Sequence, residues 1–202
     1  MFPLGTVLVP GQGLPLHVFE PRYRALVESC MAGDGCFGVV LIERGSEVGG
    51  GDVRFDIGTV ARIGEVARSP DGRYAVAAVG TDRFRVVRWL PDDPFPRAEI
   101  EVLSDPDAGA DALAGRAAVV AGFQRVLDAA RSAGAEIPAD LLAADRALAD
   151  DPIQAGWDAV ALAPIGPLDV LAILREDDPV ARLDRIVAAL ADAAELLELR
   201  HT

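Results

Sequence analysis

The chain of 202 residues reads as an α+β protein: a twisted sheet closing toward a barrel, followed by a bundle of helices. Three observations lead there. Residues 1–105 hold 14 of the 20 Gly and carry Val, Ile and Phe in short runs broken by turn residues. Residues 106–202 hold the other 6 Gly and are dominated by Ala, Leu and Asp, with apolar residues three and four apart. The first half also lacks the regular strand–helix alternation of a parallel α/β sheet. The hydrophobic period lengthens from two near Asp105-Pro106, which sets the expected division: a β-rich part, 1–105, and a helical part, 106–202.

The elements of the first half follow in order. Residues 6–9 are a short β-branched run, ended by Pro10-Gly11-Gln12-Gly13. Leu14, Leu16 and Val18 then alternate with Pro15, His17 and Phe19, the period of a strand. Glu20-Pro21 opens a helix, since Pro needs no N–H in a first turn. Tyr23, Leu26, Val27, Cys30 and Met31 lie at helical spacing, and Gly33-Asp34-Gly35 stops them. Residues 37–42 form a continuous apolar run, the mark of a buried strand. Gly49-Gly50-Gly51 marks a loop. Residues 57–66 and 74–79 read as strands around Pro70-Asp71-Gly72, a hairpin signal. Residues 84–89 and 98–103 complete six or seven strands.

In the second half, 113–133 reads as a long helix with Val119, Val120, Phe123, Val126 and Leu127 on one face. Shorter helices follow at 141–148, 153–163 and 168–175. A last helix places Val180, Leu183, Ile186, Val187, Leu190, Ala194 and Leu197 three or four apart. Asp-Asp-Pro occurs at 92–94, 150–152 and 177–179. The latter two directly precede helical patterns, so capping by Asp explains them better than a carboxylate pair for catalysis. The first copy lies between strands and reads as a loop.

Composition narrows the chemistry. Hydrophobic residues make up 51% of the chain, enough for a real core. The net charge is -13, a poor match for phosphate backbones or anionic membranes. All 19 basic residues are Arg. Without Lys the chain has no P-loop, no Schiff-base lysine and no Ser–Lys dyad. Two Cys and two His are too few for a disulfide scaffold or a Cys/His zinc cluster, so no metal and no cofactor is expected. The start carries no basic, apolar leader, and no apolar run approaches a membrane span. The cytoplasm, with both thiols reduced, is the expected location.

No catalytic residue stands out. His17 lies in a strand beside Glu20, but no Gly-x-Ser-x-Gly turn supplies a nucleophile, and a structural His is the expected role. Cys30 and Cys36 read as buried free thiols. Arg83, Arg85 and Arg88 read as a solvated strand face with ion pairs.

One run of residues carries a resemblance. Phe2-Pro3-Leu4 leads to Pro10-Gly11 and then to Leu14-Pro15-Leu16-His17-Val18-Phe19-Glu20-Pro21-Arg22-Tyr23-Arg24. Phe37-Gly38-Val39-Val40-Leu41-Ile42, Glu47-Val48-Gly49, Gly58-Thr59-Val60-Ala61 and Val79-Gly80-Thr81-Asp82-Arg83-Phe84-Arg85 follow. In order and spacing this closely resembles the stand-alone form of the N-terminal substrate-binding domain of Lon proteases. The resemblance implies a PUA-like β-pseudobarrel followed by an α-helical bundle. It also implies recognition of exposed, often unfolded protein segments. Full-length Lon proteases continue into ATPase and Ser–Lys protease modules, which this chain lacks, so a non-catalytic module is expected.

The matching residues also have local roles. Glu20 is placed to bond the first N–H groups of its helix and to meet Arg22 or Arg24. Gly38, Gly58 and Gly80 suit strand positions where another backbone comes close. Tyr23 and Phe84 are candidate core aromatics. His17, Phe19, Glu20, Arg22, Tyr23, Gly38, Gly58, Gly80, Arg83 and Phe84 are therefore read as specifying the fold. Peptide contacts are expected from Pro10, Leu14, Pro15, Trp89, Leu90 and Phe95, on loops and at the seam between the two halves. The expected partners are unfolded or apolar protein segments, with a protease or chaperone as a further partner in protein quality control. Neither nucleic acid nor membrane is expected. A PUA-like RNA-binding module and a homo-oligomeric scaffold are the alternative readings.

Overall fold

The computed structural model describes residues 1–47, 51–106, 109–141 and 143–199. The expected loop at Gly49-Gly50 and the histidine at 201 lie outside the described residues, as do Val48 and Gly49 of the resembling run. The chain divides into two compact units, Met1–Ser104 and Asp105–Thr202.

Unit 1 is a curled, mixed sheet of six strands with one helix. Its strands are β1 (Phe2–Leu4), β2 (Gly13–Val18), β3 (Cys36–Arg44), β4 (Val53–Arg68), β5 (Tyr74–Leu90) and β6 (Arg97–Leu103). The order is β1-β3-β4-β5-β2, with β6 also on β5. Only the β1–β3 pair is parallel. Residues 74–90 are one strand, where the alternation suggested two: its first part pairs with β2 and its last part with β6. Register shifts in β3–β4, β4–β5 and β5–β6 let long strands bend out of a flat sheet.

The expected strand at 6–9 does not form; the first strand is Phe2–Leu4 instead. Val7, Leu8 and Val9 are nonetheless buried, at 8%, 2% and 1% exposure. They cross the sheet as plain chain, and the Thr59 hydroxyl donates to the Leu8 carbonyl at 2.6 Å. A β-branched run shows an apolar environment, and burial without a ladder meets that as well as a strand does. The crossing explains Gly80, where an added Cβ would stand 2.3 Å from the Val9 oxygen. Gly58 is held by the same logic, 2.0 Å from the Val39 oxygen.

Helix α1 (Pro21–Ala32) closes the core of unit 1 with Tyr23, Leu26, Val27 and Cys30. Pro21 begins it as expected, but the Glu20 side chain caps no N–H. The Glu20 carbonyl accepts from Tyr23 and Arg24, while its carboxylate meets Arg22 at 3.2 Å. The ion pair outcompetes the cap because a guanidinium is the stronger donor. Arg83 also departs from expectation: it is buried, at 3% exposure, where a solvated face was predicted. Arg88 does stand on the surface, paired with Glu99.

Unit 2 is helical: α2 (Gly109–Ser132), α3 (Ala144–Ala147), α4 (Pro152–Leu162), α5 (Pro167–Arg175) and α6 (Pro179–Leu199). Of the expected helix at 141–148, the described residues form the end of a 3-10 turn at Ala139–Leu141 and the four residues of α3, and residue 142 lies outside the described residues. Helices α2 and α6 approach closely because Gly115 and Gly122 lie against Leu183 and Leu190. Leu183, Ile186 and Leu190 are almost fully buried, each contributing about 1.5–3 kcal/mol. Asp151 accepts from the Gln154 N–H at 2.8 Å, and Asp178 from those of Val180 and Ala181 at 2.8 and 2.9 Å. Both Asp-Asp-Pro copies before helices are therefore caps. Asp92 of the first copy instead bonds Arg54 at 2.9 Å. Arg182, 1% exposed, reaches Asp105 at 2.5 Å and the Glu176 carbonyl at 2.9 Å, and its guanidinium lies over the Trp157 ring.

Candidate functional site

The pleat of β2 decides what it presents. The Gly80 N–H donates to the Gln12 carbonyl at 2.9 Å, which sets the parity of the pairing. Even-numbered residues of β2 bond to β5, and the backbone groups of Gly13, Pro15 and His17 face away from it. Pro15 fits that side, since it has no N–H to offer β5. Leu14 and Leu16 pack against the core and Val18 is part of it, while Pro15 and His17 are exposed. Phe19, next in the outward series, is 54% exposed.

A groove of about 180 Å³ lies between Phe2 and Leu4 of β1 and residues 15–18 of β2, with Phe19, Glu20, Tyr23 and Glu47 completing its lining. Tyr23 is fixed from both sides. Phe2 stacks on its ring with centroids 4.2 Å apart, and the Arg22 guanidinium lies 4.4 Å from the centroid. Its hydroxyl is buried with no hydrogen-bond partner, a situation that costs about 1–3 kcal/mol. Burial pushes the phenol up to about 12 against the opposing pull of Arg22, so it remains a donor at neutral pH. At the rim, Glu20 pairs with Arg22, and Glu47 accepts from the Gly5 N–H at 2.5 Å.

A second cleft, of about 360 Å³, is lined by Leu26, Cys30, Phe37, Leu90 and Phe95 among others. The Cys30 thiol donates to the Cys36 carbonyl at 3.2 Å. Burial pushes this thiol up, so it is a poor nucleophile at neutral pH. Nearby in sequence, Trp89 lies under the Arg54 guanidinium at 5.1 Å, and Arg54 bonds Asp52 at 2.5 Å. Burial opposes the charge of both partners, but hydrogen bonding prevails: the bond from Arg54 holds Asp52 below its usual range, and bonds to Asp92 and to Asp52 hold Arg54 above its own. Unit 2 has a cleft of about 220 Å³ along α5 and α6, floored by Ala172, Ala188 and Ala189 and edged by Asp169 and Asp192.

The six expected peptide contacts do not share one surface. Pro15 lines the first groove, and Leu90 and Phe95 the second. Leu14 packs inward, Trp89 is stacked under Arg54, and Pro10 is half-buried at the turn with Gly11. Of the motif residues, Tyr23, Gly38, Gly58, Gly80, Arg83 and Phe84 are buried, Glu20 and Arg22 are half-buried, and His17 and Phe19 are exposed. Sequence reasoning passed over Phe2 and Leu4 as groove walls and the Tyr23 hydroxyl as a donor. The outward parity of 15, 17 and 19 was the available signal for Phe19. Among the described residues, no group of three or more His, Cys, Asp or Glu could hold a metal ion. No helix there is long and apolar enough to cross a membrane.

The architecture and sequence have known counterparts. A crystal structure of a Lon N-terminal domain protein from Xanthomonas campestris superposes with a TM-score of 0.63 at 30% identity, covering 93% of this chain and 95% of that one. The N-terminal domain of the Mycobacterium avium complex Lon protease gives a TM-score of 0.64 at 18% identity, covering 94% and 97%, a likeness of fold. Lon protease 4 of Sorangium cellulosum is 32% identical over 204 residues, covering 99% of this chain and 24% of that protein. Lon protease 2 of Herpetosiphon aurantiacus is 28% identical over 204 residues, covering 98% and 24%. The chain thus spans 24% of the length of these two relatives. The family model of the ATP-dependent protease La (LON) substrate-binding domain matches residues 1–192, and the chain belongs to that family.

Proposed function

We propose that this chain is a non-catalytic module that binds exposed apolar segments of unfolded proteins, acting as an adaptor to a protease or chaperone in cytoplasmic protein quality control. The match to a substrate-binding domain over residues 1–192 carries this reading. The largely apolar groove at Pro15 and Phe19 supplies a surface of the right character, and the cleft at Leu90 and Phe95 adds apolar residues among polar ones such as Ser29, Asp34 and Arg97. Burial of apolar side chains provides the affinity, and ordering of the ligand keeps it modest. The net charge of -13 opposes nucleic acid as a ligand.

Titration of the chain into fluorescently labelled, chemically unfolded casein tests this. Saturable binding that changes little between low and high salt is expected, with no binding to a folded control protein. No binding to unfolded casein, or equal binding to the folded control, would overturn it.

A further inference from the structure

We propose that the groove between β1 and β2 takes an extended polypeptide by strand addition, with the Tyr23 hydroxyl donating to one of its backbone carbonyls. This rests on the protein-binding function above and names its mode. Among the described residues, strands β1 and β2 are the two ends of the strand path, each with a single ladder partner. The outward edge of β2 offers the N–H and C=O of His17 and the C=O of Pro15, the set an incoming antiparallel or parallel strand requires. A helix has no free backbone groups along its length to meet that edge, so an extended chain fits where a helical ligand does not.

Tyr23 points to the same occupant independently. Among the described residues its hydroxyl is the one buried side-chain oxygen or nitrogen without a partner, and its residue lines this groove. A phenol kept protonated by burial seeks an acceptor, and a peptide carbonyl is the acceptor every extended segment carries. The flanking charges refine the ligand. Glu20, Glu47 and Arg22 leave one net negative charge at the rim, which favours a segment flanked by Lys or Arg over an acidic one. The occupant is thus an extended segment with apolar residues at alternate positions and a basic flank, recognised largely through its backbone.

The experiment uses a fluorescent peptide of alternating Val and Thr flanked by Lys, and a twin with the same side chains but N-methylated at every second residue. Wild-type protein is expected to bind the first and to bind the twin about tenfold or more weakly, because methylation removes the edge hydrogen bonds. Tyr23→Phe is expected to weaken binding of the first peptide about threefold to tenfold, while its melting temperature holds or rises. Phe19→Ser, at an exposed position, should weaken binding with an unchanged melting temperature. Equal affinity for the two peptides, or wild-type affinity in Tyr23→Phe, would overturn the proposal. If unfolded casein still binds in that case, the mode is wrong and the protein-binding function stands. If neither peptide nor casein binds, both fall.

Discussion

In unit 1 the backbone is satisfied between strands, and a sheet that does not close has to end: among the described residues, β1 and β2 each keep one side without a ladder. In unit 2 each helix satisfies its own backbone along its length, and Asp151 and Asp178 cap the N-termini of α4 and α6. What unit 2 shows its surroundings is therefore mostly side chains, carrying a net charge of -10, against -3 for unit 1. Unit 1 shows backbone donors and acceptors next to a largely apolar groove. A polypeptide whose sequence is not known in advance is most generally met through what all polypeptides share, and only the sheet offers that.

The contrast extends to what holds each unit together. Unit 1 depends on backbones passing at close range, so its most sensitive positions lack a Cβ. Gly80→Val places a side chain where the Val9 oxygen already stands. A loss of about 3 kcal/mol or more is expected, read in circular dichroism as melting of the strand signal while the helical signal persists. Melting like that of wild type would break the comparison.

Unit 2 depends instead on side chains, and its most sensitive polar group is Arg182. Arg182→Met removes the buried partner of Asp105 and should cost about 3 kcal/mol in chemical denaturation. Asp105→Leu added to Arg182→Met should recover part of the loss, since an apolar pair replaces an ion pair better than half a pair does. If the single substitution is silent, the charge contact is not a support of the bundle.

The smallest expected effect sharpens the electrostatic side of unit 1. Arg54 holds the Asp52 carboxyl below its ordinary value of 3.8, so the folded state binds that proton less readily than the unfolded one. The resulting stability is present above that value and drains away as pH falls through the lowered one. Thermal melts should show an acid-induced loss below about pH 4 that is shallower in Asp52→Asn. Equal acid slopes for the two proteins would remove Asp52 from the account.

Much of this was legible from the residues alone. The α+β class, β2, α1, β3, the hairpin at Asp71-Gly72 and the long helices follow from periods of two and about 3.6, because side-chain burial repeats with the geometry of each element. The two helix caps were legible because Asp before Pro acts on N–H groups within three residues. Contacts distant in sequence were not. Nothing local to residues 7–9 says that they cross the sheet as buried chain, since strand and buried coil ask for the same apolar residues. Arg83 reads as a surface charge until the rest of the sheet covers it. The groove itself joins Phe2 and Leu4 to Pro15, His17 and Tyr23, which meet because a strand order, not a motif, brings β1 and β2 to the two ends of one curled sheet. Composition and period specify which surfaces turn inward; which edges remain open depends on how all the strands pair at once, and that is a property of the assembled chain.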